Sequence, residues 1–99
     1  MTGQNSFRDV LSEMADLHDR KNADYGTDAD PFANVRASEE FGIPAWLGSV
    51  VRANDKMTRL KAFSVKGELR NESVEDSLID LANYCVISLI LYREKIRDD

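Results

Sequence analysis

Apolar positions recur along this chain at helical spacing, and no stretch alternates in the way a half-buried strand would. From Ser6 to Asp24 the residues Phe7, Val10, Leu11, Met14 and Leu17 return every three or four positions, which places them on one stripe of a helix. Ser6 suits the N-cap and Asp9 the positive helix end. Arg20 and Lys21 suit the last turn, and Gly26 the stop. Residues 25–31 read as a polar loop. Asp30-Pro31 then places a cap before a proline at the first position of a short helix running to about Phe41, which Gly42 ends.

Pro44 opens a second long helix through Trp46, Leu47, Val50, Val51, Met57, Leu60 and Phe63 to about Ser64. After a turn at Lys66–Asn71, Ser73 and Asp76 have the spacing of a capping arrangement, and the last helix spans Val74 to about Ile96. Between residues 78 and 92 that helix is apolar on nearly every side, which predicts a central position or a subunit interface. Three long helices and one short one, with no repeat and no linker, predict an all-α antiparallel bundle. It is a single domain over residues 1–99, with the final helix its most buried member.

Composition changes this picture in three ways. A chain of 99 residues buries roughly two thirds of its unfolded surface, a modest margin that a homo-oligomer would enlarge. The net charge of −5 argues against a partner such as a long nucleic acid. Yet residues 1–40 hold nine acidic and four basic side chains, residues 41–70 two and six, and residues 71–99 seven and three. A basic middle between acidic flanks suits a small phosphorylated ligand. Cys85 is the only cysteine, so no disulfide forms within the chain. With no leader-like start and no apolar run of about 20 residues, the reading is cytoplasmic, with no membrane role.

Candidate chemistry concentrates on two helix faces. Asp76, Asp80 and Asn83, spaced by four and three, share one face of the last helix. An unpaired charge at Asp80, among apolar neighbours, would be costly. Arg52, Asp55, Lys56 and Arg59 share a face of the preceding helix. Antiparallel packing would bring Arg59 toward the Asp76 end and Asp55 or Arg52 toward Asp80 or Asn83. The bland reading makes Asp76 a cap and Asp80 half of an ion pair with Arg59 or Lys56. The functional one has Arg52, Lys56 and Arg59 holding phosphate oxygens, with Asp55, Asp76 and Asp80 as oxygen ligands for Mg²⁺.

A further cluster, Lys21, Asp24 and Tyr25, sits at the end of the first helix. There Tyr25 packs under the loop or stacks on a base. Trp46 reads as a core or interface anchor rather than a base platform, and the lone His18 as an edge residue rather than a metal ligand.

The order Lys21-x-x-Asp24-Tyr25-Gly26, Pro31-Phe-x-Asn34, Gly42-Ile-Pro-x-Trp46, Arg52-x-x-Asp55-Lys56-x-x-Arg59, Glu72-Ser73 and Asp76-x-x-x-Asp80-Leu-Ala-Asn83-Tyr84 resembles the nucleotide-modification-associated domain 1 family of phages and bacteria. More distantly, the helical pattern is similar to the MazG-like all-α NTP pyrophosphohydrolases, which bind Mg²⁺ and cleave between the α and β phosphates. The resemblance implies a nucleotide ligand held by Lys21, Asp24, Tyr25, Arg52, Lys56, Arg59, Asn83 and Tyr84. In a phage setting such a protein would sequester a nucleotide, including a cyclic-nucleotide immune signal, or assist nucleotide modification.

The hydrolases carry EExxE and ExxD motifs. Here Glu39-Glu40 lacks a third acid in step, and Ser77 stands three before Asp80. The sequence therefore favours binding. Mg²⁺-dependent pyrophosphohydrolysis is the alternative, and a purely structural helical oligomer is the third reading.

Overall fold

The computed structural model describes residues 6–25, 32–69 and 72–99. Every regular element among them is helical: α1 Phe7–Tyr25, α2 Ala33–Arg36 with a 3-10 segment Ala37–Phe41, α3 Ala45–Lys66 and α4 Val74–Asp98. The chain divides into two compact units, residues 1–34 and 35–99.

In the first unit Ser6 caps α1 as its residue type predicts. Its Oγ accepts the Asp9 backbone N–H at 3.1 Å, and its carbonyl accepts from Val10 at 3.1 Å. Met14 is buried, Val10 and Leu17 are half-buried, and Phe7 and Leu11 are exposed, so only part of the predicted stripe is covered. The helix runs to Tyr25, and Arg20 and Lys21 consequently fall short of its last turn, where no cation sits. His18 lies beside Phe32, with ring centroids 5.7 Å apart, in keeping with an edge position. The stop at Gly26 and the Asp30-Pro31 cap lie outside the described residues. So do the expectations for the Asp24 and Tyr25 side chains.

The expected short helix, which begins at the end of the first unit, is only four residues of α-helix before it tightens to 3-10 geometry, a common way for a helix to end. Gly42 closes it at φ 77°, a left-handed conformation in which a side chain would be strained. Pro44 occupies the N-cap of α3 rather than its first helical position. Its carbonyl accepts from Leu47 at 3.0 Å and from Gly48 at 2.9 Å. Two turns of chain touch at Gly48, where an added Cβ would stand 2.7 Å from the Ser38 Cβ. α3 extends to Lys66, two residues past the expected end, because Gly67 at φ 76° supplies the stop.

α4 begins as its sequence predicts, with Ser73 Oγ accepting the Asp76 N–H at 3.0 Å. It packs against α3 in antiparallel sense: Trp46 meets Tyr92 edge to face at 5.3 Å, Ser49 reaches the Tyr84 carbonyl, and Lys56 reaches Asp80. The buried residues of α3 are Ala45, Ser49 and Ala53, and those of α4 are Ser77, Asp80, Ile87, Ser88 and Leu91. Small side chains dominate, so the two backbones approach closely. Of the two places expected for α4, a central position is not met, which leaves the subunit interface as the other expectation. Leu78, Val86 and Leu89 are each about half exposed, at 50%, 47% and 47%, and Ile96 is 57% exposed. These exposed apolar residues share a face turned away from the buried Ile87 and Leu91.

Candidate functional site

The third and fourth helices each contribute a polar strip, and the register of their packing decides which residues meet. Ser49, Ala53 and Lys56 follow at intervals of four and three, so Lys56 is carried inward with the buried small residues. Asp55, one position earlier, is exposed.

Lys56 Nζ donates to Glu72 Oε1 at 3.1 Å and Oε2 at 3.0 Å, and lies 3.1 Å from Asp80 Oδ2. An ammonium has three protons, and these three oxygens account for them. Ser77 Oγ, fully buried, donates to Glu72 Oε1 at 3.2 Å, and Arg59 Nε stands 3.6 Å from Glu72 Oε2. The side chains of Lys56, Glu72 and Asp80 retain only 18%, 14% and 10% exposure, so water screens this cluster weakly.

Burial, the largest single influence on Lys56, works against its positive charge. The hydrogen bonds to Glu72 and Asp80 and the charges of both carboxylates together outweigh burial, and the Lys56 pKa is raised above its ordinary value. The cluster holds two cations, Lys56 and Arg59, against two carboxylates.

Two flanks extend it. One helical turn earlier on α3, the exposed Arg52 lies over the Tyr84 ring at 5.7 Å, with Nη2 3.4 Å from the phenol oxygen. Under that ring the Tyr84 carbonyl accepts from Ser49 Oγ at 2.9 Å and Ser88 Oγ at 2.8 Å, fixing the residue between the helices. On the other flank a cleft of about 290 Å³ opens beside Arg59, lined also by Thr58, Ala62, Lys66, Glu68 and Leu69.

Of the predicted site residues, Lys56 and Asp80 meet directly, Arg59 joins them through Glu72, and Arg52 pairs with Tyr84. The expected antiparallel register holds, with Arg52 beside Tyr84, next to Asn83, and Arg59 toward the start of α4; the correction is one of side chain, because Lys56 and not its neighbour Asp55 faces Asp80. Asn83 is half-buried on the same helix. Lys21 belongs to the first unit.

Asp76 is exposed in the first turn of α4, with its backbone N–H on Ser73, and Asp55 is exposed on α3. Among the described residues no group of three His, Cys, Asp or Glu side chains is poised for a metal ion. Glu72 and Ser77 were assigned no site role from the sequence, although Glu72-Ser73 stands among the motifs of the resemblance. Both stand beside Ser73-x-x-Asp76, and their signal was the need of Lys56 for acceptors beyond Asp80.

The second unit is thus a helical hairpin clamped at one end by an ion cluster. No family model matches the chain, and neither curated proteins nor solved structures give a match. None of the described helices is long and apolar enough to cross a membrane.

Proposed function

We propose that the protein binds a small phosphorylated nucleotide along the Arg52–Lys56–Arg59 face of α3. The observation that carries this reading is the position of Arg59, which borders the ion cluster on one side and the cleft of about 290 Å³ on the other. A guanidinium there offers charge-assisted donors to phosphate oxygens at the mouth of a concavity close to the small end of ligand-pocket sizes. Arg52 and Tyr84 supply a second cation and an aromatic face at the other end of the strip. Arg52 to Arg59 spans about 10 Å of helix, on the scale of a nucleotide.

The order of motifs that resembles the nucleotide-modification-associated family supports the same ligand class and a phage-type, cytoplasmic role in sequestering a nucleotide or supporting its modification. The MazG-like hydrolase reading has less behind it, since Asp55 and Asp76 stand exposed and apart from the Lys56-bound Asp80. The exposed apolar residues of α4 favour a homo-oligomer as the working form, with Val86, Leu89 and Ile90 in the interface between copies.

The test is incubation of purified protein with Mg²⁺ and a panel of mononucleotides, dinucleotides and cyclic nucleotides, removal of the free fraction, denaturation and analysis of what is released. Intact nucleotide in molar proportion is the expected result. Monophosphate and pyrophosphate would move the assignment to the hydrolase. Nothing recovered would leave a structural oligomer.

A further inference from the structure

Glu72 differs from the other members of the ion cluster in where it is attached. Lys56, Arg59, Ser77 and Asp80 are held on helices, whereas Glu72 lies in the connection before α4, ahead of the Ser73 cap. Its carboxylate nevertheless takes the centre. Oε1 accepts from Lys56 Nζ at 3.1 Å and Ser77 Oγ at 3.2 Å, and Oε2 accepts from Lys56 Nζ at 3.0 Å with Arg59 Nε at 3.6 Å. An ammonium, a guanidinium and a buried hydroxyl from two helices converge on one anion. That donor set also suits a phosphoryl group, which presents more acceptor oxygens than a carboxylate does.

Lys56 has no donor left for an incoming phosphate while Glu72 is in place. Withdrawing Glu72 removes two of its three acceptors but leaves Asp80 to hold the ammonium in position. Because Glu72 precedes the cap, its side chain can leave without breaking any backbone hydrogen bond of α4, giving up on that helix only the bond from Ser77 Oγ that an incoming phosphoryl oxygen would take over.

We infer that Glu72 is a built-in competitor, occupying an anion seat formed by Lys56, Arg59 and Ser77 that a phosphoryl group of the ligand takes by displacing it. The inference rests on the nucleotide reading and adds to it the regulation of that site. Ligand affinity is set by exchange of one anion for another, so weak anions fail to enter and a multiply charged phosphate succeeds.

The experiment is calorimetric titration of the full chain with inorganic pyrophosphate, and with whichever nucleotide the release assay yields, across Glu72→Gln, Glu75→Gln and the parent. Glu75 lies exposed in the first turn of α4 and controls for net charge. Glu72→Gln is expected to bind about tenfold tighter than the parent, because a like charge is removed from the seat, and Glu75→Gln to stay within about twofold.

Binding by the parent with no gain, or a loss, in Glu72→Gln overturns the competitor while the nucleotide reading stands. Equal gains in both variants would reduce the effect to the general field and also overturn it. No binding by parent or variants removes both readings together. Should Glu72→Gln fail to fold by circular dichroism, Glu72→Asp decides, since shortening the arm keeps the charge and is expected to tighten binding severalfold.

Discussion

The two ends of the α3–α4 contact solve the same packing problem with different chemistry. Toward the start of α3, Ala45, Ser49 and Ala53 are buried, as are Ile87, Ser88 and Leu91 toward the end of α4. Small side chains let the helices close, and the serine hydroxyls return their hydrogen bonds to a backbone carbonyl. At the opposite end Lys56, Glu72, Ser77 and Asp80 fill the space with charge. The apolar end holds the hairpin through area removed from water, which any well-shaped replacement would also supply. The charged end needs every partner present, because each leaves another desolvated when it goes. Stability is therefore expected mainly at one end, and the anion exchange proposed above at the other.

The largest test of that division is Leu91→Ala. Leu91 is 3% exposed, and its truncation is expected to cost about 3 kcal/mol from lost burial and an incompletely closed cavity, read as a lower urea midpoint. Nucleotide affinity at a temperature where the variant is folded should be unchanged. A fall in affinity equal to that of the charged-end variants would show that the two ends are not separable.

Lys56→Met comes next, at roughly 2 to 3 kcal/mol, somewhat below the range for a fully buried pair because the side chain keeps 18% exposure. It should abolish nucleotide binding as well. A stability near that of the parent would mean that Glu72 and Asp80 turn to solvent without penalty.

The pH dependence of the same residue sharpens the comparison. A lysine whose folded pKa is raised contributes stability that is fully present below the ordinary lysine value, about 10.4, and is lost as pH climbs through the raised value. Between pH 8 and 11 the stability difference between the parent and Lys56→Met should therefore shrink. The urea midpoints at the two pH values are the measurement.

Much of the architecture was legible because it depends on local rules. The Ser6 and Ser73 caps, the Gly42 and Gly67 stops and the helical spacing all act within a few residues of chain, and the all-helical class follows from them. The Lys56–Asp80 pair was legible as one of two candidate pairings, since a buried carboxylate needs a cation and only neighbouring turns of α3 could offer one. Which of the adjacent Asp55 and Lys56 would face Asp80 was not, because helical spacing alone does not separate two neighbouring positions at the edge of one face. It depends on Ser49 and Ala53 being small enough to sink between the helices and draw Lys56 in with them. Glu72 was given no site role for a related reason: it lies in a connection, where no periodicity marks the direction of a side chain. The outward apolar face of α4 was visible as excess hydrophobicity, but not as the side that α3 leaves uncovered.

The smallest expected effect on stability is also the most informative about the ligand. Arg52 is exposed, and its contacts are a long hydrogen bond to Tyr84 and the ring beneath it, together on the order of 0.5 kcal/mol at a solvated position. Arg52→Lys keeps the charge and gives up the planar fork. The urea midpoint should therefore barely move. If Arg52 serves only to shield Tyr84, nucleotide binding should not move either. If it grips a phosphate with two parallel donors, affinity should drop by about tenfold despite the conserved charge, since a lysine contacts phosphate as a point charge. Arg52→Ala should then weaken binding further. A lysine variant equal to the parent, beside a weakened alanine variant, would assign Arg52 to long-range attraction and place the specific phosphate contact at Arg59 and Lys56, beside the anion that already sits there.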